Sequence, residues 1–305
     1  MSERGRAGVL PVEKGPGVTS FQVVAHLRRI LRAPRIGHGG TLDPAATGLL
    51  PILIGEATKL TPYLVDLDKE YVATVRLGVI TESQDLSGAV IETRPVPPLD
   101  ASAIEAALPR FVGRIRQVPP MFSALRRGGK RLYELAREGV EVEREPREVT
   151  VHALRLVSVS LPDFVLHVRC GKGTYVRTLA ADLGAALGCG AALAGLVRTR
   201  VGPYALESAV PWEEVRMARA AAPLWARLQP PDSALAGMPA VHLDADGARA
   251  FAHGQAVAAG GRATGWLRVY APGGRLLGVG RGLGDRVKPE RLLHADPQGS
   301  PVLPA

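Results

Sequence analysis

The sequence predicts an α+β fold, with a largely antiparallel mixed sheet flanked by helices and a small β-rich domain after it. Three observations carry this prediction. Segments that alternate apolar and polar residues with period two are interspersed with isolated helical stretches. The two kinds do not alternate strictly, as parallel βαβ units would require. The breakers Gln229-Pro230-Pro231-Asp232 then separate a region of different texture from the rest.

Taken in order, Thr19 and Gln22 form a T-x-x-Q capping box, and Phe21, Val24, Leu27 and Leu31 recur at helical spacing, so a helix is expected over 20–32. Arg28, Arg29 and Arg32 lie on its other face. The glycine-rich stretch 37–44 cannot sustain a helix and reads as a loop that lets something bulky approach the backbone. Residues 71–78 alternate like a half-buried strand, and 149–161 and 164–169 read as two more, joined by the Pro162-Asp163 turn. Helices are expected over 132–137 and 176–187. Beyond the breakers, 240–252 reads as a strand then a helix, and 266–270 and 276–280 as strands. A first domain is therefore placed at 1–230, with an insertion near 114–147, and a second at 236–296.

The chain has 305 residues, 46% of them hydrophobic and 22% charged, enough to bury a sizeable core and too apolar for a disordered or fibrous protein. A formal net charge of +9 favours an acidic partner, with nucleic acid ahead of an anionic membrane surface. Two cysteines, Cys170 and Cys189, are too few for a disulfide framework or a cysteine metal site. Residues 1–8 lack the apolar core of a signal peptide, and no stretch reaches the ~20 apolar residues of a membrane helix. The expectation is a soluble cytoplasmic protein with no membrane contact.

The candidate chemistry starts at Asp43, which follows a glycine-rich turn and precedes Pro44 and an apolar run. Taken alone, such an aspartate reads as a turn cap, and His38 as an ordinary turn histidine. The segment Gly171-Lys172-Gly173-Thr174 looks superficially like a phosphate loop but has neither the P-loop spacing nor a dinucleotide fingerprint. From 114 to 131 the chain carries Arg114, Arg116, Arg126, Arg127, Lys130 and Arg131 and no acid, with Phe122 interleaved, a composition suited to phosphate contacts and stacking. No metal-ligand spacing converges in these segments, so a metal site is not expected.

Four ordered blocks resemble the bacterial TruB-type tRNA pseudouridine-55 synthases. They are Gly37-His38-Gly39-Gly40-Thr41-Leu42-Asp43-Pro44 running on to Lys59; Lys69-Glu70-Tyr71 through Thr81-Glu82-Ser83-Gln84-Asp85 and Gly88; Arg114 to Glu134; and Cys170-Gly171-Lys172-Gly173-Thr174-Tyr175-Val176-Arg177-Thr178-Leu179. The resemblance implies a pseudouridine-synthase-like domain and, more loosely, a PUA-like RNA-binding domain at the C-terminus. It implies Asp43 as the catalytic residue, His38 as a contact to the flipped nucleotide and Tyr71 as the aromatic at the base. Arg177 would pair with Asp43, opposing the cost of burying its charge, and Leu196 would close the pocket. Arg126, Lys130 and Arg131 would bind RNA. The implied substrate is the T-arm stem-loop of tRNA, with no cofactor and no obligate protein partner. One departure is Lys14-Gly15-Pro16-Gly17, where the family's proline is displaced by one residue, which puts the course of that loop in question.

Overall fold

The computed structural model describes residues 6–123 and 125–294, except for the side chains of Arg126, Arg127, Arg131 and Arg137. Its main elements are β1 (Gly8–Lys14), α1 (Ser20–Leu31), β2 (Thr47–Ile54), β3 (Lys69–Leu77), β4 (Arg147–Ser160), β5 (Asp163–Cys170), α2 (Val176–Ala186) and β6 (Ala191–Val201). They divide between two compact units. One lies within Met1–Leu42, Leu49–Val65 and Gly202–Ala305, the other within Asp43–Gly48 and Asp66–Val201.

In the second unit β3 is central. Every second residue, Lys69, Tyr71, Ala73, Val75 and Leu77, is buried while those between are half-exposed, which is the alternation its sequence predicts. β3 pairs antiparallel with β5 on one side and β6 on the other; β5 pairs with β4, and β4 with Gly113–Gln117. One parallel contact completes the sheet, where Thr47 and Gly48 at the start of β2 meet Val197 and Arg198 of β6. Helix α2 closes one face, burying Val176, Leu179, Ala180 and Leu183 against Ala73, Val75, Phe164, Leu166 and Val168. Each of the larger side chains contributes about 2 kcal/mol or more by leaving water, which secures the helix whose first turn carries Arg177.

The first unit holds α1 with the expected capping box, Thr19 accepting from the Gln22 backbone while the Gln22 side chain accepts from Thr19. The course of the loop at 14–20, open in the sequence, is set by Lys14. Its buried ammonium donates to the carbonyls of Gly15 at 2.9 Å and Val18 at 2.7 Å, tying the loop to its own lysine. Compact units and sequence domains divide the chain differently. The expected boundary near 230 falls inside the first unit, where Ala240–His242, Val257–Tyr270 and Leu276–Leu292 form their own sheet over Phe251, Leu267, Val269 and Val287. Residues 295 and 296 of the expected second domain lie outside the described residues.

The strands at 8–14, 47–54 and 191–201 were not expected from the sequence. β6 opens Ala-Ala-Leu-Ala-Gly-Leu, poor in β-branched residues, and only its second half, Val-Arg-Thr-Arg-Val, carries the alternation that marks a strand. Its place between β2 and β3, a tertiary effect, sets its conformation.

Gly48 makes the parallel contact possible. Its φ is +96°, and an added Cβ would lie 2.4 Å from the Arg198 carbonyl oxygen and 2.8 Å from its nitrogen, both backbone atoms that cannot step aside. Gly48→Ala should therefore destabilise the fold by about 1–3 kcal/mol in urea unfolding; an unchanged midpoint would show that the contact relaxes without cost.

Candidate active site

The chain enters Asp43 along a fixed path. The Ser20 hydroxyl accepts from the Leu42 N–H at 3.0 Å and donates to the Leu42 carbonyl at 3.1 Å. Asp43 then opens a turn closed by the Ala46 N–H donating to the Asp43 carbonyl at 3.1 Å, with Pro44 in the second position, where its locked φ pre-sets the turn. The carboxylate is 42% exposed, so the expected burial of Asp43 is corrected: Pro44 and Ala45 beside it are not buried and leave one side of the turn open.

Arg177 is the buried member of the pair, its side chain 5% exposed. Its Nε lies 2.9 Å from Asp43 Oδ2, Nη1 donates to the Ser83 carbonyl at 3.0 Å, and Nη2 donates to the Phe122 carbonyl at 2.8 Å. All three guanidinium nitrogens are engaged, which a lysine could not reproduce. The helix that carries it is aligned by Gln117, 2% exposed, whose amide accepts from the Tyr175 N–H at 3.0 Å and donates to the Tyr175 carbonyl at 3.2 Å.

A second carboxylate, to which the sequence assigned no role, faces the same guanidinium. Asp85 Oδ2 is 3.7 Å from Arg177 Nε. Its other oxygen accepts from Ser83 Oγ at 2.8 Å and from Ser87 through N–H at 3.0 Å and Oγ at 2.5 Å. The turn docks on β6 through Leu193 N–H to the Gln84 carbonyl and Leu86 N–H to the Leu193 carbonyl, both 3.0 Å. The signal that could have found it is the run Thr81-x-Ser83-x-Asp85-x-Ser87, in which hydroxyls alternate toward one acid as self-bonded turns require.

Asp43 and Asp85 form the polar end of a cleft of about 270 Å³, near the ~300 Å³ lower end of small-ligand sites. Ala45, Ala46, Leu86, Leu193 and Leu196 form its apolar walls. Leu196 thus lines the cleft, as expected from the sequence. One flat heterocycle suits such a space, with an edge for the carboxylates and faces for the aliphatic wall.

Behind that wall, Tyr71 of β3 is directly paired with Arg198 of β6, and both are buried, at 8% and 2% exposure. The Arg198 guanidinium hydrogen-bonds the Tyr71 hydroxyl. Burial pushes the Tyr71 hydroxyl pKa up, with Arg198 pulling the other way, and burial pushes the Arg198 pKa down, with Tyr71 opposing it. Arg198 is the second functional candidate that sequence reasoning missed, since an arginine in an unrecognised strand carries no local mark of burial. His38 ends the strand Ile36–His38 in the first unit, where its Nδ1 accepts from the Gly40 N–H at 3.4 Å. The basic hairpin pairs Arg126–Arg127 with Lys130–Arg131. There Lys130 bonds Glu138 at 3.0 Å on the surface, and the side chains of Arg126 and Arg131 lie outside the described part of the structure.

Comparison with known proteins bears directly on this geometry. The family described as TruB family pseudouridylate synthase (N terminal domain) matches residues 28–176. The tRNA pseudouridylate synthase B C-terminal domain matches 177–236, and the pseudouridine synthase II TruB C-terminal domain matches 239–293. Curated relatives called tRNA pseudouridine synthase B are similar end to end. The one from Burkholderia mallei is 49% identical over 304 residues, covering 96% of this chain and 99% of its own, and the one from Cupriavidus metallidurans is 48% identical over 297 residues, covering 94% of each. The chain belongs to the TruB family of pseudouridine synthases. Among solved structures, a Cbf5-Nop10-Gar1 complex matches with a TM-score of 0.73 at 25% identity, covering 94% of this chain and 85% of that one. An archaeal box H/ACA sRNP Nop10-Cbf5 complex matches at 0.71 and 24%, covering 94% and 86%.

Lys69, in the second of the motif blocks, has a feature of its own. Burial, reinforced by the neighbouring Arg198 charge, lowers its pKa from 10.5 to about 8. Between pH 8 and 10.5 the unfolded state binds more protons at this position, so Lys69's contribution to stability rises with pH across that window; below pH 8 both states are charged and the full cost of burying the charge applies. Lys69→Met should accordingly gain more stability relative to wild type at about pH 7 than at about pH 9.5 in urea unfolding, and an equal difference at the two pH values would refute the assignment.

Proposed function

We propose that this protein converts uridine to pseudouridine at position 55 in the T loop of tRNA, acting in the cytoplasm without a cofactor or an obligate protein partner. The observation that carries the reading is the cleft in which an accessible Asp43 carboxylate is held by the buried, fully engaged Arg177. The reaction breaks the N1–C1′ bond, turns the uracil and rejoins it through C5, losing a proton there and gaining one at N1. It needs no oxidant and no group donor. It needs a placed carboxylate and a space that holds the detached ring. Asp43 serves each available route, whether attack at C1′, attack at C6, or removal of a ribose proton. Leu196 and Tyr71 are assigned to the apolar side of the base, His38 to the nucleotide as it leaves the stack, and Arg177 to orienting Asp43.

Extruding a stacked uridine costs a few kcal/mol, which contacts elsewhere on the RNA must offset. Arg126, Lys130 and Arg131 are suited to this. The ion pair of Lys130 with Glu138 is a surface pair worth about 0–1 kcal/mol, which a phosphate can replace. The 1–230 region is read as the catalytic domain and 236–296 as a PUA-like RNA-binding domain. Exposed Arg262, Arg281, Arg286, Lys288 and Arg291 equip the latter for phosphate contacts.

A guide-dependent mode, as in the Cbf5 complexes, is the second reading, suggested by the fold match. Relatives about twice as similar in sequence carry the tRNA name, which supports direct action. Incubating the purified chain with an unmodified T-arm hairpin should yield pseudouridine; a requirement for added RNA or protein would favour the second reading. Asp43→Asn should abolish product while tRNA affinity stays within about 3-fold, because it keeps shape and removes the charge. Arg177→Ala should lower the single-turnover rate by about 10²–10³-fold with similarly little effect on affinity, whereas equal losses would make it a phosphate contact.

A further inference from the structure

Burying a guanidinium costs several kcal/mol even after relaxation, so a buried arginine that does not itself face the cleft calls for an explanation. Arg198 is such a residue. Its backbone sits between two motif positions, paired parallel with Gly48 of the Asp43 loop and antiparallel with Tyr71. Two residues earlier on the same strand, Leu196 pairs with Ala73 and lines the cleft. Residues two apart on a strand share a face, so Arg198 lies on the same face of β6 as Leu196. Tyr71, whose hydroxyl it holds, packs in the same core as Val176 and Leu179 of α2.

A phenol ring on a strand has freedom about two side-chain bonds. A hydrogen bond to its far end, from a donor fixed on the adjacent strand, removes most of it. Arg177 cannot supply that bond, since its nitrogens are taken by Asp43, Ser83 and Phe122. We propose that Arg198 is a positioning residue for the isomerisation, acting through Tyr71: it fixes the ring behind the cleft wall so that the uracil meets one preformed surface. This rests on the reading of the protein as a pseudouridine synthase and adds a residue to its machinery.

The test is a double-mutant cycle with the full-length protein and an unmodified tRNA transcript, using Arg198→Met, Tyr71→Phe and the double variant. Single-turnover product formation and tRNA affinity are both measured. Arg198→Met should slow single turnover by about 10²-fold, as small misplacements in an active site do, with affinity within about 3-fold of wild type. In the Tyr71→Phe background the same change should slow it by less than about 3-fold, because the hydroxyl it acts through is gone. Arg198→Lys, which keeps a charged donor, should recover at least about 10-fold of the rate lost in Arg198→Met. Equal slowing in both backgrounds overturns the inference, since a residue that merely holds the fold acts whether or not Tyr71 has its hydroxyl. So does an unaffected rate in Arg198→Met. Should Arg198→Met fail to fold, Arg198→Gln alone and with Tyr71→Phe completes the same cycle: slowing confined to the Tyr71 background supports the inference, and equal slowing in both, or none in either, overturns it. An inactive wild-type protein would overturn the functional reading itself, and is thereby distinguishable from an active wild type indifferent to Arg198.

Discussion

The guanidinium of Arg177 is the constraint on which the rest of the site depends. Each of the three nitrogens of this 5% exposed charge is engaged, and each partner comes from a different part of the second unit: the Asp43 loop, the turn at Ser83–Asp85 and the segment at Phe122. Those three segments are irregular and would otherwise have little reason to adopt one arrangement. Leaving a buried donor unpaired costs more than a typical hydrogen bond contributes, so one cation on a well-packed helix organises three loops around itself.

The regular core serves this arrangement indirectly. β3 and β5 bury alternate residues beneath α2, and the burial holds the helix at one height on the sheet. Gln117 then settles the helix start through both backbone groups of Tyr175. The chain of causes runs from period-two hydrophobicity, through helix docking, to the position of one nitrogen atom beside a carboxylate.

Much of this is legible in the sequence. The capping box at Thr19 and Gln22, the alternation in β3, the paired strands around Pro162-Asp163 and helix α2 all have local signatures, and the structure repeats them within a few residues. The motif residues Asp43 and Arg177 do meet, and Leu196 does line the cleft. The rest has no local signature. The first half of β6, with three alanines and a glycine, has no strand signal of its own; Arg198, in the alternating second half, looks like any surface arginine. The exposure of Asp43 is equally hidden, because a carboxylate paired with a buried arginine need not share its partner's seclusion. Asp85 stands among the motif residues, yet a turn that satisfies its own acid cannot be told from one that offers it to a site until the two chains of contact are seen together.

The turn that holds Asp85 is bonded to itself, to β6, and to α2 through Arg177 and Thr178. Its order is therefore acquired when the polypeptide folds, before any nucleotide arrives. Little ordering of this segment is left for complex formation, and the second carboxylate stands 3.7 Å from the guanidinium in the free protein. The electric field at the cleft is in this sense a property of the fold.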